Sequence, residues 1–118
     1  MNKFELTRGE GRTRVSLSAY YMGGDLVLCI YNQHAHIGAV AVGEYDPDEK
    51  RGSTSVITRR GHKDDAVAQK VAHSVSTRTR KPACVIAGIH LDDITREEID
   101  QILRNTTSLI EEFLSREL

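Results

Sequence analysis

The apolar residues of this chain change their period once, close to residue 60. Before that point they alternate with polar residues or run in short blocks; after it they recur at helical spacing. A chain patterned this way forms strands first and then helices to cover them, which points to a two-layer α+β domain.

The strand half reads in order. Residues 3–6 form an edge strand, followed by a loop marked by Gly9 and Gly11. Val15, Leu17 and Ala19 alternate with Ser16 and Ser18, the pattern of a half-buried strand. Met22-Gly23-Gly24-Asp25 is a turn signal and predicts a hairpin. Residues 26–31 are a continuous apolar run and predict a central strand; Asn32-Gln33-His34 is the next turn. Residues 37–42 are β-rich, with Gly38 marking a bulge or a close backbone approach. Residues 43–52 read as a mobile hydrophilic loop, and residues 53–58 as a polar, β-branched strand. Short connections make these strands an antiparallel meander.

In the second half, Val67, Ala68, Val71, Ala72 and Val75 form one stripe of an amphipathic helix. Asp64 and Asp65 suit its cap and first turn; Arg78, Arg80 and Lys81 complement the dipole at its far end, and Pro82 stops it. Residues 83–87 read as a buried strand returning from that helix by a parallel crossover. Thr95 and Glu98 spell a capping box, Ile94 and Ile99 a hydrophobic staple, and Ile99, Ile102, Leu103, Thr106, Ile110, Phe113 and Leu114 keep helical spacing to the end. The expected fold is one domain over residues 1–118, with a mainly antiparallel sheet of about six strands and two helices on one face. Its central strands are apolar on both sides, so a second copy is expected to pair with it through a sheet face or edge, giving a homodimer.

Composition narrows the function classes. Sixteen basic residues against seventeen acidic ones leave a formal charge of -1, which argues against a nucleic-acid binder. Aromatic residues make up only 5%, with no tryptophan, so base-stacking platforms are scarce. The first residues are too polar for a signal peptide, no run approaches membrane-spanning length, and Cys29 and Cys84 read as buried thiols in apolar runs. These features together predict a cytoplasmic protein.

Three polar stretches carry the candidate chemistry: His34-Ala35-His36, Gly61-His62-Lys63-Asp64-Asp65 and Gly88-Ile89-His90-Leu91-Asp92-Asp93. Each opens or closes an apolar run. Histidines two apart on a strand face the same way, so His34 and His36 with His62, His90, Asp64, Asp92 and Asp93 offer a metal reading. The spacing matches no compact metal motif, and no metal ligand is assigned. Gly61 ahead of a helix offers free amides to a phosphate, with Lys63 and His62 as further donors. The spaced glycines and Lys-Ser/Thr pair of a P-loop are absent. His62 or His90 with a nearby aspartate offers an acid–base pair, but no serine or cysteine stands in a nucleophile-elbow context. No catalytic residue is assigned, and a binding role fits better than an enzymatic one.

At His36-Ile37-Gly38-Ala39-Val40-Ala41, Gly61-His62-Lys63-Asp64-Asp65 and Ala87-Gly88-Ile89-His90-Leu91-Asp92-Asp93-Ile94-Thr95, the chain resembles the LpdD-like prenylated flavin chaperones. The similarity runs from about Gly11 to about Leu109, with the three motifs in the family's order. The resemblance implies a proteasome-assembly-chaperone-like fold, often dimeric. It also implies a non-catalytic role: holding prenylated FMN and assisting a UbiD-type decarboxylase. The residues that match the motifs, and so become candidate cofactor-binding residues, are His36, Gly38, Gly61, His62, Lys63, Gly88, His90 and Asp92. On this reading Gly61 to Lys63 hold the phosphate, the bare strand ends at Gly38 and Gly88 admit a flat ring, and the histidines supply polar contacts. Two other readings stay open: an assembly-chaperone-like interaction module without cofactor, and a small histidine-dependent enzyme or metal protein.

Overall fold

The computed structural model describes residues 3–60 and 64–118. Among these, the strands are β1 (Lys3–Arg8), β2 (Val15–Met22), β3 (Asp25–Tyr31), β4 (Ala39–Asp46), β5 (Arg51–Thr58) and β6 (Ala83–Gly88). The helices are α1 (Asp65–Thr79) and α2 (Arg96–Glu117), with a 3-10 turn at Gly11–Thr13. The fold is α+β, as expected.

The six strands form one sheet in the order β1-β2-β3-β6-β4-β5, antiparallel throughout except for the parallel pair β3–β6. The meander is therefore interrupted: β6 inserts between β3 and β4. The reason lies in hydrophobicity. A six-residue strand of Ala, Cys, Val, Ile, Ala and Gly offers nothing polar to solvent and is favoured between two apolar neighbours, not at an edge. The crossover through α1 runs from β5 to β6, which point the same way with β4 between them.

The loop expected over residues 43–52 shrinks to residues 47–50. Glu44 and Asp46 lie on the exposed side of β4 and cost no burial, while buried Gly43 lies against the α1 backbone at Ala72. Strand pairing from Ala39↔Thr58 to Asp46↔Arg51 then extends the hairpin to its Asp-Pro tip.

Register fixes the two faces. Leu17, Ile30, Ala87 and Ala39 are aligned across β2, β3, β6 and β4, and all are fully or almost fully buried beneath the helices. Helix α1 packs over β4, β5 and β6, where Ala39, Ala41, Ala83 and Ala87 let it lie close; α2 packs over β1 and β2. Both helices share this face. On the other, Val27, Cys29, Cys84, Ile86, Val40, Val42 and Ile57 form a continuous apolar surface. Val42 is 46% exposed and Ile57 74%. Cys29 and Cys84 lie on it half-buried, not in the core, and burial raises both thiol pKa values above the usual range.

Helix α2 begins as its sequence dictates. Thr95 accepts from the Glu98 amide (3.1 Å) and Glu98 accepts from the Thr95 amide (3.0 Å). Ile94 and Ile99, read as a staple, each stay about 40% exposed. Arg12 of the 3-10 turn reaches Glu98 (Nε to Oε2, 2.6 Å), and this bond first, then the Thr95 amide, holds the Glu98 carboxyl down at about 2. A folded-state value below the usual 4.5 means that Glu98 stabilises the fold above about pH 4.5 and loses that effect as pH falls toward 2. Glu98→Gln keeps the capping box but loses the ion pair. Its acid unfolding midpoint, followed by circular dichroism, is expected to be closer to that of Arg12→Gln than to wild type.

Candidate functional site

Three connections meet at the carboxyl ends of β3 and β6: residues 32–38, the start of α1, and residues 89–95. Asn32, buried at the end of β3, ties the first to the last. Its Nδ2 donates to the His90 carbonyl (2.9 Å), and its Oδ1 accepts from the His34 amide (3.1 Å) and the His90 amide (3.3 Å). One side chain thus replaces backbone pairing where the strands stop.

Around this clamp the histidines gather. The His34 and His90 rings meet edge to face with centroids 6.1 Å apart. His36 Nδ1 lies 2.9 Å from the His34 carbonyl oxygen, and His90 Nε2 lies 2.9 Å from Asp92 Oδ1. That bond to His90 lowers the Asp92 pKa. His34 and His36 do not share a strand face: both lie in the loop, because β4 begins only at Ala39. The carbonyl ends of this loop are held by Arg59, whose Nη1 donates to the Ile37 oxygen (2.8 Å) and whose amide donates to the Gly38 oxygen (2.9 Å).

Asp64 departs from its expected role. It occupies the N-cap position of α1, yet its side chain makes no capping bond. Instead Oδ1 accepts from the Ile89 amide (3.2 Å), and Oδ2 lies 3.6 Å from His36 Nε2, close enough to become an ion pair when the imidazole is protonated. A carboxylate that is 8% exposed serves better as a partner for an otherwise unpaired amide than as a surface cap. Asp64→Ala is expected to cost about 1–3 kcal/mol by leaving that amide unpaired, whereas Asp64→Asn retains most of it. Thermal melts and Ile89 amide exchange report the difference.

The bare strand ends do not leave a slot for a ring. A Cβ at Gly88 would meet the His36 carbonyl oxygen at 1.6 Å, and one at Gly38 would meet Asp64 Oδ2 at 1.9 Å. The space is filled by the chain itself. Gly38 and Gly88 therefore position the loop that carries His36, and Gly38 adds an amide bond to the Ala87 oxygen (2.9 Å). The structure brings together His36, Gly38, Gly88, His90 and Asp92. Gly61, His62 and Lys63 lie outside the described residues. Among the described residues no group of three or more His, Cys, Asp or Glu is placed to hold a metal ion.

Asn32 also lines an open cleft of about 520 Å³ with Gly11, Arg12, Arg14, Ser16, Tyr31 and Gln33. Its trace in the sequence is faint: two arginines, flanking Thr13, and a tyrosine far along the chain. Arg12 is committed, bonding Glu98 and the Asp92 carbonyl (2.7 Å). Tyr31 is steered by its hydroxyl, 2.8 Å from Ser18 Oγ. The lining therefore combines cationic donors, an aromatic ring and side-chain amides. Among the described residues, no helix is long and apolar enough to cross a membrane.

The fold resembles that of a proteasome assembly chaperone. A solved chaperone complex for yeast 20S proteasome assembly contains a chain with a TM-score of 0.61 to this one; 97% of this chain and 92% of that one are covered at 14% identity. Residues 9–117 match the model described as the prenylated flavin chaperone LpdD-like domain, and the chain belongs to that family. No curated protein matches it.

Proposed function

We propose that this chain binds prenylated FMN at the carboxyl ends of β3 and β6 and passes it to a UbiD-type decarboxylase without catalysing a reaction. The observation that carries the proposal is the Asn32-centred clamp, which joins the segments carrying His34 and His90 and itself lines a cleft with two arginines and a tyrosine, in a chain of the prenylated flavin chaperone family. His36, His90 and Asp92 are the proposed polar contacts, and Gly38 and Gly88 hold the loop that presents them. Gly61, His62 and Lys63 belong to the proposal on the family resemblance alone. The proposed setting is the cytoplasm, as one domain over residues 1–118. A loosely caged site suits a carrier, because a carrier must release what it binds.

The apolar sheet face supports a second part of the proposal: two copies pair through it. A flat surface from Val27 across to Ile57 would otherwise face water. Light scattering at micromolar concentration is expected to give a dimer, with Val42→Lys shifting it to monomer. A wild-type monomer contradicts the pairing.

The test of the cofactor role is co-expression with a flavin prenyltransferase. The purified protein is expected to carry close to one flavin per chain by its visible spectrum, and to activate an apo-decarboxylase on mixing. His36→Ala combined with His90→Ala is expected to lower the bound flavin tenfold or more. A colourless wild-type protein that still binds other proteins through its sheet face would favour an interaction module without cofactor.

A further inference from the structure

We infer that the cleft between the 3-10 turn and the end of β3 is an anion seat for the phosphate of the flavin, with Arg14 as its anchor. The inference rests on the flavin reading above and assigns that site a part which sequence reasoning had given to Gly61 through Lys63.

The two arginines differ in what they already do. Arg12 gives its guanidinium to both Glu98 oxygens and to the Asp92 carbonyl, so its charge is largely answered from within the chain. Arg14 lines the same cleft, and no hydrogen bond or ion pair joins its side chain to any described residue. Its backbone is nonetheless fixed: its amide donates to the Gly11 carbonyl (3.3 Å) as the 3-10 turn closes, and β2 begins at the next residue. A guanidinium on a held backbone, facing a cleft with an uncommitted planar fork of donors, suits a phosphate monoester, which accepts two parallel N–H bonds.

The rest of the lining agrees. The Ser16 hydroxyl lies 3.3 Å from Thr7 Oγ1 and the Gln33 side-chain nitrogen 3.3 Å from His34 Nε2, each with donor or acceptor capacity left over, and none of the cleft-lining residues is acidic. Tyr31, with its ring set by Ser18, offers an apolar flank on the side of the open sheet face. Asn32 is shared between this cleft and the histidine clamp. A ligand with a phosphate at one end and a polar ring system at the other can therefore span both, phosphate toward Arg14 and ring toward His90.

The test compares wild type, Arg14→Gln and Arg14→Lys as full-length proteins, by fluorescence titration with prenylated FMN and with the same flavin after phosphatase treatment. Circular dichroism melts confirm that each variant is folded. Arg14→Gln is expected to bind prenylated FMN at least about tenfold more weakly, with Arg14→Lys in between. The dephosphorylated flavin is expected to bind wild type and Arg14→Gln alike. Equal binding of prenylated FMN by wild type and Arg14→Gln overturns the anion seat and leaves the flavin reading intact. Absence of binding of either flavin to wild type overturns both.

Discussion

Phe113→Ala is expected to remove about 3–5 kcal/mol of stability, the largest single effect in the molecule. Phe113 is the largest fully buried side chain, 1% exposed, and sits on the face of α2 that lies over β1 and β2. Its ring meets Phe4 at 5.9 Å between centroids in a tilted arrangement, and Arg116 covers the outer side of Phe4 at 4.6 Å. Truncation removes the buried apolar area and leaves a void between a helix and an edge strand. Because α2 also anchors the 3-10 turn through Glu98 and Arg12, the loss reaches the rim of the cleft. A domain this size has a stability of only about 5–15 kcal/mol, so the variant is expected to be marginal at 37 °C. Denaturant unfolding measures it. Leu103→Ala on the same helix, 44% exposed, is expected to change stability far less.

Gly88→Ala is the second, and it strikes the site directly. The added methyl meets the carbonyl oxygen of His36 at 1.6 Å and its carbonyl carbon at 2.5 Å. Both are backbone atoms, so no rotamer change relieves the clash and residues 32–38 must move. The expected cost is about 1–3 kcal/mol, together with displacement of His36 from Asp64 and loss of the proposed flavin site. Gly24→Ala is the control: a methyl there meets nothing within 4 Å. Melting temperature and the imidazole shifts of His36 separate a local rearrangement from global unfolding.

The two glycines also show where sequence reasoning reached and where it stopped. Period and capping are local properties, so the strands, α1 and the Thr95 capping box were legible from neighbouring residues alone. Gly38 gave a true signal of close backbone approach. What it approaches, the Asp64 carboxylate, was out of reach, because that contact depends on β6 standing beside β4. The placement of β6 is itself a long-range choice made by the apolar character of both its faces. Asp64 departs from its local preference for the same reason: aspartate before a helix favours capping, and only the Ile89 amide across the sheet end, which has Asp64 as its partner, diverts it. Asn32 looked like an ordinary turn residue, yet its three bonds organise the site. The cleft is not legible from neighbouring residues, since Arg14 and Tyr31 are brought together only by the β2–β3 register, Ser16↔Tyr31.

Flavin binding is proposed to centre on the Asn32 clamp and its adjoining cleft. Titration of the ¹⁵N-labelled protein with prenylated FMN, followed by amide chemical shifts, tests it most directly. The largest changes are expected to cluster at Arg14, Tyr31, Asn32, His34, His36 and His90, saturating near one flavin per chain. Changes concentrated instead in the groove between α1 and α2, around Val67, Lys70 and Leu103, or no change at saturating flavin, would contradict it.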